Sequence, residues 1–238
     1  MAELTINSLV IKHNNTTLVD LLQKDTLCSL SINSSLGLVG QSGSGKSLTL
    51  KTILHMLPSN LNGEFSYDSS FDMNLQNIGF IPQNPFTSLS PMTKISKQFF
   101  QPQELIDHYF DLVGLEKELQ NKFPVELSGG QLQRIVIAIA LSTNPKLLLL
   151  DEPTTALDDL NKQNILQLIK KLQDKLGFIT VFVSHDISSI DSVCDHIAVM
   201  NKGAICEYGK TDKIIESPQD PYTKLLIESS FENRQFRV

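Results

Sequence analysis

Residues 40–47 read GQSGSGKS, placing three glycines, three serines and a lysine within eight positions. Glycines at this spacing let the backbone curl so that successive N–H groups point inward, and a helix beginning near Gly45 adds the positive end of its dipole. Such a loop suits anionic oxygens. It is the P-loop pattern, in which Lys46 sets a point charge on terminal phosphates and the Ser47 hydroxyl is the expected protein ligand of a magnesium ion. The phosphate-lining stretch expected from this pattern is Gly40, Gln41, Ser42, Gly43, Ser44, Gly45, Lys46, Ser47 and Leu48.

The flanks supply what the loop requires. Residues 37–40 (GLVG) read as the end of a buried strand, and Leu48, Leu50, Ile53, Leu54 and Leu57 then recur at helical spacing. A flexible Gly/Ser linker would explain neither the lysine and serine nor the apolar helix behind them. Further on, residues 147–153 read LLLLDEP. Four consecutive leucines belong to a buried strand or a buried helix, and Pro145 and Pro153 leave too little room for a helix. Two carboxylates then emerge at the carboxyl end of a parallel strand, where open α/β sheets bind ligands. Asp151 is suited to hold magnesium through water, and Glu152 to polarise the water that attacks a phosphate. An N-cap aspartate with a first-turn glutamate would explain one acidic residue as well.

Residues 127–131 read LSGGQ, twenty positions ahead of Asp151. Ser128 offers a hydroxyl, Gly129 and Gly130 permit close backbone approach, and QLQRIVIAIAL reads as a helix starting there. Together with the P-loop and LLLLDEP, this resembles the signature of ATP-binding cassette (ABC) ATPases. The resemblance implies ATP and Mg2+, with each nucleotide sandwiched between one subunit's P-loop and another's LSGGQ. Ser128, Gly129, Gly130 and Gln131 would then serve a nucleotide held by the partner's P-loop. It also implies Gln83 in IGFIPQNP as the Q-loop residue contacting magnesium or the attacking water. Asp158 in PTTALD corresponds to the D-loop aspartate that couples two sites, and His185 in FVSHD to the switch histidine that holds the terminal phosphate and orients Glu152. The implied catalytic set is Glu152, His185, Lys46 and Gln83; the implied metal set is Ser47, Gln83 and Asp151.

QNPFTSLSPMTKI at residues 83–95, the surroundings of LSGGQ (FPVELSGGQLQRIVIAIAL) and SPQDPYTKLLIES at residues 217–229 are similar to the oligopeptide, dipeptide and nickel importer ATPases. That family implies uptake of peptides, nickel or metal chelates through two separate membrane permease subunits. Its other partners are a second ABC ATPase subunit, either a different chain or another copy, and an external solute-binding protein acting indirectly. The implied location is peripheral, at the cytoplasmic face of the membrane. A soluble ABC ATPase, such as the iron–sulfur assembly type, or a non-transport ATP switch is the alternative. The sequence departs from the family in several places, among them Gln41, where the subfamily commonly has a glutamate. No Phe, Tyr or Trp precedes Phe65, which leaves His13 as the ring nearest the expected adenine-stacking position, and Asp220 stands where the family has a histidine.

A chain of 238 residues with 41% hydrophobic content can bury one substantial core. Its net charge of −6 argues against a large phosphate-binding face, so no nucleic-acid partner is expected. No apolar run approaches the roughly 18 residues of a membrane span, and the opening residues do not read as a secretory signal. Three widely spaced cysteines suit a reducing compartment. The expected fold is α/β: a P-loop NTPase of the ABC ATPase type in a single domain, residues 1–238. Residues 1–35 form an antiparallel β subdomain, 36–85 and 142–210 a RecA-like core, about 86–141 a helical subdomain carrying LSGGQ, and 211–238 a helical tail.

Overall fold

The computed structural model describes residues 2–23, 27–155 and 157–235. Its strands are β1 (Leu4–His13), β2 (Thr16–Asp20), β3 (Leu30–Ile32), β4 (Ser35–Val39), β5 (Asn62–Ser69), β6 (Ile78–Ile81), β7 (Leu147–Asp151), β8 (Ile179–Ser184), β9 (His196–Asn201) and β10 (Ala204–Lys210). The α-helices are α1 (Lys46–Ile53), α2 (Gln103–Val113), α3 (Gly129–Leu141), α4 (Asp159–Leu176), α5 (Thr211–Glu216) and α6 (Pro221–Gln235). The chain divides into two compact units, residues 1–72 with 179–238, and residues 73–178.

The first unit contains an antiparallel sheet in which β1 pairs with β2, β3 and β5. In β1, Leu4, Ile6, Leu9 and Ile11 are buried, so the alternation changes phase between the second and third of these. A register shift against β5 between Ile6 and Ser8 accounts for it, since one extra residue turns the following side chains to the opposite face. Sequence patterning assigned only residues 1–35 to this sheet. β5 escapes that reading because NGEFSYDS is mostly polar and exposed, its alternation limited to Phe65 and Tyr67.

The same unit holds a second set of strands, with β4 parallel to both β8 and β9, and β9 antiparallel to β10. β4 and β8 are buried at every position, as strands covered on both faces must be, and this is why they read as continuous apolar runs. The apolar pattern that extended α1 to Leu57 overshoots: the helix ends at Ile53, and His55 turns left-handed at φ 55°.

In the second unit β6 and β7 are parallel, and α3 packs on β6, α2 and α4. β7 buries its four leucines, and α3 is buried around most of its circumference, at Leu132, Gln133, Ile135, Val136, Ile137, Ala138 and Leu141. Residues 86–141, expected to be helical, are so only at α2 and α3. A short 3-10 turn at Ile95–Gln98 precedes α2, and two more, Lys117–Asn121 and Pro124–Glu126, lie between α2 and α3. Pro91, Pro102, Pro124 and Gly114 interrupt the helical pattern there, the last ending α2 at φ 67°. In α4 the buried stripe is Ile165, Leu166, Ile169 and Leu172, and the helix stops at Gly177 with φ 75°. Among the described residues no helix is long and apolar enough to cross a membrane.

The cysteines differ sharply in environment. Cys194 is buried and Cys28 exposed. Burial, reinforced by the nearby Asp220 carboxylate, pushes the Cys206 thiol up to about 11. On the order of one Cys206 in a thousand then carries the thiolate at pH 8. The native protein is expected to show one fast-reacting thiol, Cys28, in an alkylation assay at that pH, with Cys194 and Cys206 reacting only after denaturation. Rapid labelling of Cys206, read by peptide mass spectrometry, would contradict the assigned environment.

Candidate functional site

In both units, the carboxyl ends of a parallel strand pair set functional side chains next to one another. In the first unit Val39 of β4 lies opposite Ser184 of β8. The residues that follow, Gly40 and His185, therefore leave neighbouring strands side by side, at the usual strand spacing of about 4.8 Å. His185 is exposed. A tight turn behind it fixes its backbone: the Asp186 N–H donates to Ser184 Oγ at 3.0 Å, and Asp186 Oδ1 accepts from Ser188 N–H at 3.0 Å.

The loop that leaves β4 at Gly40 is glycine-dependent for steric reasons. A Cβ on Gly40 would lie 2.1 Å from the Met200 carbonyl oxygen, and one on Gly45 would lie 2.7 Å from Val19 Cγ2. Gly45 also caps α1 at φ 106°, a backbone conformation that favours glycine. Inside this turn Lys46 is only 5% exposed. Its ammonium donates to Gly40 O at 2.6 Å and to Gln41 O at 2.8 Å, with Ser44 Oγ 3.4 Å away. A buried positive charge thus sits within the loop at the amino end of α1, while Gln41, Ser42, Gly43 and Ser47 form an exposed rim and Leu48 is half-buried. This donor set fits a polyphosphate: a fixed cation, hydroxyls at the rim, and the positive end of a helix. Two contacts from later in the chain steady the loop. Gly203 N–H donates to Ser44 O at 3.0 Å, and Gln41 N–H donates to the Tyr222 hydroxyl at 2.9 Å. His13 is exposed at the end of β1, where it pairs across the hairpin with Thr16.

In the second unit Ile81 of β6 lies opposite Leu150 of β7. Two residues further on, this register brings Gln83 beside Glu152, and Gln83 Nε2 donates to Glu152 Oε2 at 3.2 Å. Thr155 Oγ1 donates to the same carboxylate oxygen at 3.0 Å. Glu152 adopts φ 46°, left-handed backbone that costs a non-glycine residue on the order of 1 kcal/mol. That turn follows directly from Asp151 at the end of β7. Sequence reading did not single out Thr155. Its signal was a hydroxyl three residues beyond a carboxylate across a turn, a spacing at which such side chains reach back.

Ser128 caps α3: Gln131 N–H donates to Ser128 Oγ at 3.3 Å, and Ser128 N–H donates to Gln131 Oε1 at 3.0 Å. Asp158 caps α4 and accepts from Asn161 N–H at 3.0 Å. The Asn161 N–H and side-chain amide hold the Asp158 carboxyl below its ordinary range. Asn161 also borders a cleft of about 360 Å³ lined by Ser128, Gly130, Gln131, Arg134 and Ile165, so the LSGGQ segment and Asp158 are neighbours. Unlike Gly40, Gly129 and Gly130 have room within their own chain. A Cβ on either would meet its nearest neighbour at 3.7 or 3.5 Å, ordinary contact distances. Among the described residues no cluster of three or more His, Cys, Asp or Glu could hold a metal ion.

Comparison with known proteins places these features in a family. The sequence model described as ABC transporter matches residues 24–155, more than half of the chain. The chain belongs to the ABC transporter ATP-binding family. It is 39% identical to the oligopeptide transport ATP-binding protein OppD of Bacillus subtilis, over 82% of this chain and 62% of that protein. To the metal-staphylopine import system ATP-binding protein CntD of Staphylococcus aureus it is 31% identical, over 87% of this chain and 86% of that protein. The chain thus spans less than two thirds of OppD and most of CntD. The solved structure of cbiO1 from Clostridium perfringens, part of the ABC transporter complex cbiONQ, matches 99% of this chain and 95% of its own. The TM-score is 0.74 at 22% identity, which establishes the α/β ABC ATPase fold. Membership of the ABC family implies an ATP-binding domain.

Proposed function

We propose that this ABC chain is the ATP-binding and ATP-hydrolysing subunit of an importer that takes up peptides or metal chelates through separate membrane subunits. The observation that carries the reading is the buried Lys46 ammonium held inside a glycine-shaped loop at a helix amino end, a phosphate site by its chemistry. Lys46 and His185 neutralise charge on the terminal phosphates, and the Ser128 hydroxyl serves the nucleotide held by a second subunit's P-loop. Ser47, Asp151 and Gln83 are the residues to hold Mg2+, which when bound neutralises phosphate oxygens and lowers the barrier to attack. Glu152 accepts a proton from the attacking water, with Gln83 and Thr155 fixing its carboxylate.

The spare room at Gly129 and Gly130 supports a half-site that a second ATPase subunit completes. The fold of one chain does not require glycine there, whereas close approach of a ligand held by a partner does. Asp158 then lies at that boundary. The names of OppD and CntD favour peptide or metal-chelate cargo. The importer resemblance adds an external solute-binding protein and two permease subunits, with this chain at the cytoplasmic face of the membrane.

Purification from its native membrane tests the reading. The expected result is recovery with membrane permease subunits and magnesium-dependent phosphate release that rises when the cognate receptor and solute are added. Recovery with a soluble scaffold instead, or ATP turnover indifferent to permease subunits, would assign the chain to a non-transport ABC ATPase.

A further inference from the structure

The start of α6 is tied to the phosphate loop by a contact that spans 181 positions of sequence. Gln41 N–H donates to the Tyr222 hydroxyl at 2.9 Å. That N–H shares its peptide group with the Gly40 carbonyl, which receives the Lys46 ammonium at 2.6 Å. A trans peptide is planar and its N–H and C=O point in opposite directions. Holding the N–H toward Tyr222 therefore aims the carbonyl at Lys46. The next carbonyl, of Gln41, accepts from the same ammonium at 2.8 Å.

Tyr222 is itself firmly placed. The Glu207 carboxylate on β10 accepts from Gln219 N–H at 2.8 Å and from Asp220 N–H at 3.1 Å, clasping the segment just before α6. Asp220 Oδ1 accepts from Tyr222 N–H at 2.8 Å, the N-cap arrangement that starts the helix. Thr223 and Leu226 are buried below it. Gln41, by contrast, is exposed. Water could satisfy its N–H, so the Tyr222 bond adds little to folding and much to the orientation of one peptide.

We propose that Tyr222 is a positioning residue for nucleotide binding: its hydroxyl orients the Gly40–Gln41 peptide and, through it, sets the Lys46 ammonium where phosphates bind. The inference rests on the ATP-binding reading of the loop. Through Glu207 and Asp220, the β10 strand and the carboxyl-terminal helix thereby act on affinity without touching nucleotide. Without the hydroxyl the loop spends part of its time with this peptide turned, and apparent affinity falls by the fraction of correctly set loops.

Tyr222→Phe tests this, because it keeps the ring and its packing and removes only the acceptor. The expected result is a KM for MgATP raised about three- to tenfold, the scale of one neutral hydrogen bond, with kcat within about twofold. The Gln41 amide resonance in a proton–nitrogen spectrum of the nucleotide-free protein is expected to move upfield, with the melting temperature nearly unchanged. Glu207→Gln, which weakens the clasp one step away, is expected to raise KM less. If the unaltered protein binds MgATP but Tyr222→Phe leaves both its KM and the Gln41 resonance unchanged, the positioning role is overturned alone. If the unaltered protein binds no MgATP, the ATP-binding reading falls and this inference with it.

Discussion

Replacing Lys46 with alanine is expected to weaken MgATP binding by about 100-fold or more, the equivalent of about 2.7 kcal/mol. The expectation follows from how the ammonium is held. It is 5% exposed and donates to the carbonyls of Gly40 and Gln41, so its charge stays inside the loop at little further entropic cost when phosphates arrive. Alanine removes the charge and also releases both carbonyls, so the loop loses its cation and its internal brace together. Arginine should not restore binding, because a planar guanidinium cannot occupy the space of a compact ammonium received by two carbonyls. A titration with fluorescent ATP provides the measurement. An affinity within about threefold of the parent, against the penalty expected for losing a charge-assisted bond, would remove Lys46 from the phosphate site.

The parts of this fold legible in the sequence are those whose physics is local. Four leucines bounded by prolines could only be a short covered strand, and β7 is one. GLVG followed by two further spaced glycines and an apolar helix stated the strand, loop and helix around Lys46, although the helix is one turn shorter than its leucines suggested. β5 was silent because its partner β1 supplies most of the apolar side chains while its own are mostly polar. The helical arm was overextended because apolar spacing persists across segments that Pro91, Pro102, Gly114 and Pro124 break into short turns.

Proximities within the site were legible only where strand register could supply them. Val39 opposite Ser184 and Ile81 opposite Leu150 place Gly40 by His185 and Gln83 by Glu152, yet no single segment states either register. Thr155 lay within reach of a local rule but has an ordinary neighbour's appearance. Tyr222 did not, since its partner is Gln41 and nothing in DPYTKLL points toward the loop.

Glu152→Gln is expected to lower kcat by about 100- to 10,000-fold while leaving MgATP affinity within a few-fold of the parent. The substitution is nearly isosteric, and the glutamine oxygen can still accept from Gln83 Nε2 and Thr155 Oγ1, which reach the carboxylate at 3.2 and 3.0 Å. Only the capacity to take a proton from water is lost. With turnover blocked and binding intact, ATP should hold two ATPase subunits together, so size exclusion in ATP and magnesium is expected to show a persistent dimer of ATPase subunits. Thr155→Val separates positioning from chemistry. It leaves the carboxylate charged but loses one of its fixed partners, so kcat should fall about three- to tenfold, the scale of a single hydrogen bond. Because Glu152 already adopts φ 46°, a turn anchored by the end of β7, neither change should displace the backbone, and melting temperatures should stay close to the parent. Phosphate release by Glu152→Gln at the parent rate would mean that the attacking water loses its proton elsewhere, and the carboxylate would then be a structural partner of Gln83 and Thr155 alone.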